Sequence, residues 1–291
     1  MTSAPASLPF DPARRLGLGT AQFGYAYGIS NTVGQVPLDE VRAILVRAAE
    51  AGVTLLDTAA NYGKAEQVLA QCDTSAFRVI SKTVSVKAGI PAVIERARQS
   101  ARTLGRLDVL LVHAVSDLLG PDGDDLWRAL QGLKDEGLTG AIGISAYVAS
   151  DPIALARRFR PDVMQVPFSL LDQRLLQDGS LARLKELGVE IHARSLFLQG
   201  LLFMTQPPEK LRDALPMLRA VREHIAAARS TPLAAAVSFV LSRPEVDRAV
   251  VGVTSRRELD EILAAVPSVL DLSDWAACAL KDERILTPSR W

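Results

Sequence analysis

The sequence has few of the features that mark secreted, metal-binding or membrane-spanning chains. It contains only two cysteines, Cys72 and Cys278, which lie far apart and outside any metal-ligand spacing. Neither a disulfide framework nor a metal site is therefore expected. Residues 1–15 lack a basic segment followed by an apolar one, which is the pattern of a secretory signal. The uncharged apolar stretches are too short to cross a bilayer. These absences predict a cytoplasmic protein with free thiols.

The chain also lacks an excess of charge of either sign. Lys and Arg together number 33, as do Asp and Glu, so the net charge is zero. This balance provides no overall field to attract nucleic acid or an anionic membrane, and we expect neither as a partner. With 291 residues, 48% of them hydrophobic, the chain is long enough to bury a large core. Length alone would allow two domains.

Short apolar runs alternate along the chain with longer amphipathic stretches of helical character. The eight runs span residues 16–20, 54–58, 77–83, 108–113, 139–145, 162–168, 189–195 and 248–254. Many are apolar at consecutive positions, which suits parallel strands covered on both faces. The repetition predicts an α/β fold, a single-domain (β/α)8 TIM barrel over residues 1–291. Its core would span about 14–265, with a C-terminal tail over 266–291.

An open doubly wound sheet is the structural alternative. It would need a glycine-rich phosphate-binding turn after the first strand if it bound a dinucleotide. The segment from Gly17 to Gly24 lacks that spacing, and no helical pattern follows it at once. We therefore favour the closed barrel.

Polar residues end three successive predicted strands. Asp57, Lys82 and His113 each follow an apolar run, and Tyr62 lies on the loop after Asp57. Taken singly, Asp57 would be a turn cap, Lys82 a solvated side chain and His113 a core histidine. Because the active site of a barrel lies at the carboxyl ends of its strands, their placement on neighbouring ends favours one catalytic cluster.

The residue types in this cluster suit proton transfer to a carbonyl. A nearby Lys82 ammonium would lower the pKa of the Tyr62 phenol, which is about 10 when unperturbed. Asp57 would supply the counter-charge that a buried lysine needs. His113 could hydrogen-bond a carbonyl oxygen or pass the proton on. The group fits proton donation as a hydride arrives, or the reverse.

The motifs around these residues resemble the aldo-keto reductase superfamily over roughly residues 14–265. They are GLGT, LLDTAANYG, ISKT, LLVH, GISAY, MQVPFSLLDQR, FLQGLL and VVGVTSRRELDEIL, in order along the chain. The resemblance implies a nicotinamide-dependent enzyme that reduces an aldehyde or ketone to an alcohol, or acts in reverse as a sugar or aldose dehydrogenase. It implies that Tyr62 is the general acid/base, tuned by Lys82 and Asp57, and that His113 orients the carbonyl.

The resemblance also implies a set of cofactor-binding residues. They are Gly19, Thr20, Ser145, Gln165, Arg194, Ser195, Phe197, Gly252, Thr254, Arg256, Arg257 and Glu261. Two positions on the nicotinamide side depart from the family pattern: Ala146 replaces a frequent Asn, and Arg194 replaces an aromatic that commonly stacks on the nicotinamide. A guanidinium plane can also stack on a ring, so Arg194 remains a predicted contact. A strand-end ion pair is the alternative for it.

Two further departures bear on the choice of cofactor. Members that grip the 2′-phosphate of NADP often carry Lys or Arg near Gly252 and Thr254, and this chain has neither there. It offers Arg256 and Arg257 at a helix start, where an anion is favoured, and we expect NADP(H) over NAD(H). Ser255 and Glu258 also fit a capping box, with both arginines merely solvated.

The substrate pocket is predicted from loops. Phe23, Tyr25 and Tyr27 follow the first strand, and residues 196–208 and the tail ending in Trp291 complete the candidates. Trp291 could equally dock on the surface. The expected partner is a small carbonyl compound or sugar. Two alternatives stay open: a non-catalytic nicotinamide-binding regulatory module, and a lyase or isomerase that uses Lys82 as a Schiff base.

Overall fold

Eight parallel strands close into one barrel in the order of the chain, with the last strand paired to the first. This computed structural model describes residues 12–266 and 275–291. The strands are β1 (Leu16–Gly19), β2 (Leu55–Asp57), β3 (Arg78–Lys82), β4 (Val109–Val112), β5 (Ala141–Ser145), β6 (Val163–Pro167), β7 (Glu190–Arg194) and β8 (Arg248–Gly252). All eight predicted strands are present, slightly shortened at their ends, and the predicted TIM barrel is confirmed.

Helices connect successive strands on the outside of the barrel. They are α1 (Ala21–Gly24), α2 (Leu38–Glu50), α3 (Ala65–Leu69), α4 (Ile90–Leu104), α5 (Val115–Leu119), α6 (Gly123–Asp135), α7 (Pro152–Phe159), α8 (Arg174–Gln177), α9 (Ser180–Glu186), α10 (Leu215–Ala227), α11 (Pro232–Leu241), α12 (Arg256–Ala265) and α13 (Glu283–Leu286). Short 3₁₀ segments cover Pro12–Arg15, Val86–Ala88, Val148–Ser150, Leu198–Phe203, Glu209–Ala214, Trp275–Cys278 and Pro288–Arg290.

The ends of α4 show how local sequence sets these boundaries. Pro91 stands in its first turn, where the missing N–H costs nothing, and Gly105 ends it at a positive φ of 73°. Of the predicted tail, residues 267–274 lie outside the described part of the chain, as does the N-terminal segment 1–11.

The barrel interior contains an apolar layer. Its members are Leu55, Ile80, Val109, Leu111, Ala141, Val163 and Val250. Because strand side chains alternate between the two faces, the residue two positions further along faces the same interior at the carboxyl end. Asp57, Lys82 and His113 each follow a member of this layer by two positions. The alternation therefore brings the predicted catalytic residues together.

No helix in the described residues is by itself both long and apolar enough to span a membrane. One bent pair, Glu209–Ala227 with Pro232–Leu241, meets the length and composition criteria only when its two parts are combined across an 82° bend.

Two glycines, one in the barrel interior and one on an outer helix, test how tightly the interior is packed. A Cβ on Gly143 of β5 would lie 2.1 Å from the Val163 carbonyl oxygen and 2.6 Å from Leu111 Cδ2. Gly143→Ala is expected to lower the free energy of unfolding by about 3 kcal/mol, because backbone must move. On helix α6, a Cβ on Gly132 meets no atom within 4 Å. Gly132→Ala should raise stability by about 0.5–1 kcal/mol. Urea unfolding of both variants measures this, and equal shifts would contradict it.

Candidate active site

A buried ion pair forms the floor of the cluster at the carboxyl end of the barrel. Lys82 Nζ lies 2.7 Å from each Asp57 carboxylate oxygen and donates to the Thr58 carbonyl at 3.0 Å. It also lies 3.3 Å from Tyr62 Oη. Burial lowers the pKa of Lys82, and the Asp57 charge opposes that shift. The structure thus brings the predicted acid, cation and phenol within hydrogen-bonding distance.

A close approach of two backbone segments holds the loop that carries Tyr62. A Cβ on Gly24 would lie 1.7 Å from the Tyr62 carbonyl oxygen, so only glycine fits there. Gly63 adopts a positive φ of 54° against the same segment. The Lys64 N–H then donates to the Gly24 carbonyl at 3.2 Å. The segment after β1 therefore fixes the height of Tyr62 above the barrel.

A second, partly buried ion pair ties this loop to β3. Glu66 on α3 accepts from Ser81 Oγ at 2.6 Å and from Arg96 Nη2 at 2.6 Å. Arg96 also donates to the Ala60 carbonyl at 3.4 Å. Since Ser81 precedes Lys82, Glu66 links the tyrosine loop to the strand of the lysine. The sequence predicts nothing of this role, because a glutamate within a helical pattern is ordinarily solvated.

His113 stands edge-on to the phenol, with ring centroids 5.7 Å apart and planes at 81°. Burial, reinforced by the positive charge of Lys82, lowers the pKa of His113 to about 4. The imidazole is therefore neutral near neutral pH. It can hydrogen-bond a carbonyl oxygen but carries no charge there.

The pKa of Tyr62 is raised above its ordinary value of about 10. Burial is the largest cause and the Asp57 charge adds to it, while Arg194 acts in the opposite direction. The expectation that this pKa is lowered is wrong for the protein alone, because burial and the Asp57 charge outweigh the Lys82 ammonium 3.3 Å away. Tyr62 consequently keeps its proton at neutral pH.

A cavity of about 870 Å³ opens above the cluster and extends towards α12. The predicted cofactor residues that line it are Gly19, Ser145, Gln165, Arg194, Ser195, Phe197, Gly252, Thr254, Arg257 and Glu261. Thr20 does not line it, since its side chain is fully buried and donates to the Asp57 backbone carbonyl at 3.1 Å. Lys82 also lies behind the wall, 1% exposed.

The two predicted arginines at the start of α12 point in different directions. Arg256 points away from the cavity: its guanidinium lies 3.7 Å from Asp260, and its backbone N–H donates to Glu40 of α2 at 2.6 Å. Only Arg257 of the pair lines the cavity, and its Nε lies 3.5 Å from Glu261. The prediction that both arginines face the cofactor end is thus corrected for Arg256.

The capping box proposed for this helix is present in a shifted form. Ser255 Oγ accepts from the Glu258 N–H at 3.2 Å, as predicted. The Glu258 carboxylate accepts from Thr254 at 2.6 Å rather than from Ser255. The first turn of α12 is therefore held by the chain's own acceptors. At the end of β8, a Cβ on Gly252 would lie 2.6 Å from Gln22 Nε2, so a larger residue there would require the Gln22 side chain to move.

Arg194 lies on the wall of the cavity beside Tyr147, a residue that the sequence analysis missed. Its guanidinium carbon is 4.3 Å from the centre of the Tyr147 ring. Its nitrogens donate to the Ala146 carbonyl at 3.2 Å and to Ser195 Oγ at 3.3 Å. The predicted alternative, a strand-end ion pair, is absent among residues 12–266 and 275–291. Tyr147 follows the end of β5 by two residues, which is the signal that could have identified it.

Two of the three predicted substrate residues reach the cavity. Tyr25 and Tyr27 line it and meet edge to face, with centroids 5.6 Å apart. Phe23 does not, because α1 turns its side chain into the core, where it is fully buried. Trp291 donates its Nε1 to the Arg284 carbonyl at 2.8 Å and lines a separate, smaller cavity. Of the tail, Pro288 reaches the main one.

Two loops meet across the mouth of the cavity. The Ser30 N–H and Oγ donate to the Gln199 carbonyl at 3.4 and 3.0 Å. Leu198 and Gln199 adopt positive φ angles of 46° and 54°. The predicted loop 196–208 contributes the lining residues Leu196, Phe197, Gln199, Gly200 and Phe203. Asn31 and Asn61 also line the cavity and were missed, although Asn61 directly precedes Tyr62.

Within the described ranges, no group of three or more His, Cys, Asp or Glu side chains could hold a metal ion. Both cysteines are free thiols, Cys278 buried and Cys72 partly so.

The depressed pKa of His113 makes the fold sensitive to acid. Its value is about 4 in the folded chain and 6.5 when unperturbed, so the unfolded state binds the proton more readily between those values. The resulting stability is complete above pH 6.5 and is lost as the pH falls towards 4, by roughly 3 kcal/mol at most. His113→Gln should flatten this dependence. Urea unfolding at pH 7 and pH 4.5 measures it, and an unchanged loss in the variant would contradict the assignment.

Comparison with known proteins places this arrangement in a family. The model of the aldo/keto reductase family matches residues 15–283. An uncharacterised oxidoreductase of Mycobacterium tuberculosis is 33% identical, with 92% of this chain and 88% of the relative covered. L-galactose dehydrogenase of Arabidopsis thaliana is 28% identical, with 94% and 92% covered.

Solved structures share the fold. Aldo-keto reductase AKR11C1 from Bacillus halodurans, in its holo form, superposes with a TM-score of 0.71 at 21% identity, covering 91% of this chain and 90% of that one. An aldose reductase from Giardia lamblia gives a TM-score of 0.65 at 18% identity, covering 91% and 90%. The ordered barrel, the polar cluster at its carboxyl end and the family match together show that the chain belongs to the aldo/keto reductase family of oxidoreductases.

Proposed function

We propose that the chain interconverts an aldehyde or ketone and the corresponding alcohol, with a nicotinamide cofactor and with Tyr62 as the proton-transferring group. The observation that carries the proposal is a partly buried phenol 3.3 Å from Lys82 Nζ that lines a large cavity beside the His113 imidazole. A phenol that keeps its proton at neutral pH is suited to donate it to a carbonyl oxygen as negative charge develops there.

The residues of the cavity fit a nicotinamide dinucleotide. Ser145 and Gln165 pair in register on β5 and β6, so a hydroxyl and an amide stand side by side on one wall. They would hold the carboxamide of the nicotinamide. Arg257, in the first turn of α12 at the other end of the cavity, would face the adenosine phosphates. When bound, the cofactor supplies or accepts a hydride.

The chain's own residues account for the proton. In reduction, Tyr62 Oη donates its proton to the carbonyl oxygen, and neutral His113 hydrogen-bonds the same oxygen. The phenolate that forms lies 3.3 Å from the Lys82 ammonium, which stabilises it. Asp57 holds that ammonium in place, and Gln165 Nε2 donates to Asp57 Oδ1 at 2.7 Å from the opposite side. In oxidation the same groups act in reverse.

The mouth of the cavity supports a substrate that carries several hydroxyls. Asn61 and Gln199 offer amides there, and Tyr25 and Tyr27 offer ring faces with polar tips. Such a wall suits a sugar or a sugar-derived carbonyl compound. The relative that acts as an L-galactose dehydrogenase, 28% identical to this chain, supports the same class.

The Schiff-base alternative receives no support from the site. Lys82 is 1% exposed and lies behind the cavity wall, with its nitrogen committed to Asp57, Thr58 and Tyr62. A carbonyl carbon would have to displace these partners to reach it.

Tyr62→Phe tests the chemistry. Removing the proton donor should lower turnover at least about 100-fold and leave cofactor binding intact. Absorbance of the reduced nicotinamide, with sugars and aliphatic and aromatic carbonyl compounds in both directions, measures turnover. Full activity in the variant would refute the role of Tyr62. Tight cofactor binding by the wild type with no turnover of any compound would instead favour the non-catalytic alternative.

We propose NADP(H) over NAD(H) as the cofactor, on Arg257 alone. Arg257→Ala should weaken NADPH binding about tenfold and leave NADH binding unchanged, because only NADPH carries the 2′-phosphate. Arg256→Ala is the matched control, since its guanidinium faces Asp260 outside the cavity, and it should change neither. Dissociation constants from calorimetry decide this. NADH binding as tight as NADPH binding in the wild type would overturn the preference.

A further inference from the structure

Arg194 is the one formal charge at the catalytic end of the cavity that the described residues leave uncompensated. Lys82 and Asp57 neutralise each other at 2.7 Å. His113 and Tyr62 are both neutral near neutral pH. Among residues 12–266 and 275–291, no carboxylate lies within ion-pair distance of Arg194. A guanidinium cannot shed its proton, so this charge is permanent.

The contacts of Arg194 hold it firmly without neutralising it. Tyr147 covers one face at 4.3 Å, and the Ala146 carbonyl and Ser195 Oγ accept from its ends. Its Nε is buried and has no hydrogen-bond partner in the described structure. All these partners are uncharged. Arg194 therefore presents its full positive charge to the cavity, which Tyr62 and His113 also line.

The charge of Arg194 acts on the whole cluster. Burial has the largest effect on the pKa of Lys82, His113 and Tyr62, and to each of these the charge of Arg194 adds a smaller, lowering contribution. A nicotinamide ring that exchanges a hydride with a carbonyl held by Tyr62 must lie in the same part of the cavity. The positive charge of Arg194 therefore acts on that ring too. In a partly buried site such a field is weakly screened.

A nicotinamide ring changes its formal charge during the reaction. It is positive when oxidised and neutral when reduced, whereas the carbonyl compound and the alcohol are both uncharged at the reacting group. A fixed positive charge therefore destabilises the oxidised ring and leaves the reduced ring unaffected. We propose that Arg194 raises the reduction potential of the bound cofactor, so that the reduced form binds more tightly than the oxidised form.

This inference rests on the proposed function and extends it to the direction of the reaction. A destabilised oxidised ring is a stronger hydride acceptor, which favours oxidation of the alcohol. In that direction the alcohol carbon loses a hydride to the ring, and the hydroxyl proton leaves through Tyr62 to solvent. Burial and Asp57 raise the pKa of Tyr62, and Arg194 opposes that rise, so its charge favours the phenolate that must accept this proton. Both effects act towards dehydrogenation.

Binding of the two redox forms tests the inference without reference to activity. The dissociation constants of NADP⁺ and NADPH would be measured by calorimetry for the wild type, Arg194→Lys, Arg194→Gln and Arg194→Met. The ratio of the oxidised to the reduced constant should fall about tenfold in the Gln and Met variants, equivalent to about 30 mV for the two-electron couple. Arg194→Lys, which keeps the charge, should retain the wild-type ratio.

Arg257→Ala serves as the control within the same cavity. Because the adenosine end is identical in both redox forms, this variant should weaken both equally and leave the ratio unchanged. Wild-type protein that binds neither form would refute the proposed function. Binding of both forms with a ratio that is the same in wild type, Gln and Met variants would overturn the role of Arg194 alone. The Gln variant keeps a donor for the Ala146 carbonyl, so it guards against misfolding of the Met variant.

Discussion

The buried pair of Lys82 and Asp57 is the constraint on which the rest of the site depends. Transferring two such charges from water into a barrel interior costs several kcal/mol for each, and the cost is recovered only if both are paired and hydrogen-bonded. The protein meets this with Gln165 on one side of Asp57 and the Thr58 carbonyl on Lys82. These partners lie on three different strands or their ends. Because Gln165 reaches Asp57 from β6, across the barrel from β2, the pair is fully hydrogen-bonded only when the barrel is closed.

The barrel interior is organised in three layers along its axis. At the amino end of the strands, Arg78 Nη1 lies 2.7 Å from Glu190, which also contacts His192 at 2.8 Å. The apolar layer follows, and the catalytic layer closes the carboxyl end. Strand alternation alone generates this arrangement, since Arg78, Ile80 and Lys82 of β3 face the same interior. Two charged layers are thus kept apart by hydrocarbon.

The part of the site that could be predicted is the part set by position within a strand. Asp57, Lys82 and His113 come directly after apolar runs. Their position at the carboxyl ends of buried strands, and hence their closeness to one another, can therefore be predicted from the local sequence. The direction of the Tyr62 pKa shift could not be predicted, because it depends on burial and on how completely Asp57 cancels Lys82. Arg256 and Arg257 differ by one helical step, which points their side chains in different directions, and which of the two faces the cavity depends on how α12 packs against the barrel. Phe23 was misplaced because the turn into α1 reverses the face it presents.

The contact between Gly24 and the Tyr62 carbonyl also restricts how relatives of this chain can diverge. A Cβ on Gly24 would lie 1.7 Å from the Tyr62 carbonyl oxygen, so even alanine does not fit there unless the backbone moves. The neighbouring Tyr25 and Tyr27 meet no such barrier and face the cavity mouth. Substitutions at Tyr25 or Tyr27 can therefore change which ligand fits the cavity mouth, although Gly24 beside them must stay glycine. A change of either tyrosine side chain alters the cavity mouth and leaves the backbone contact that positions the proton donor in place.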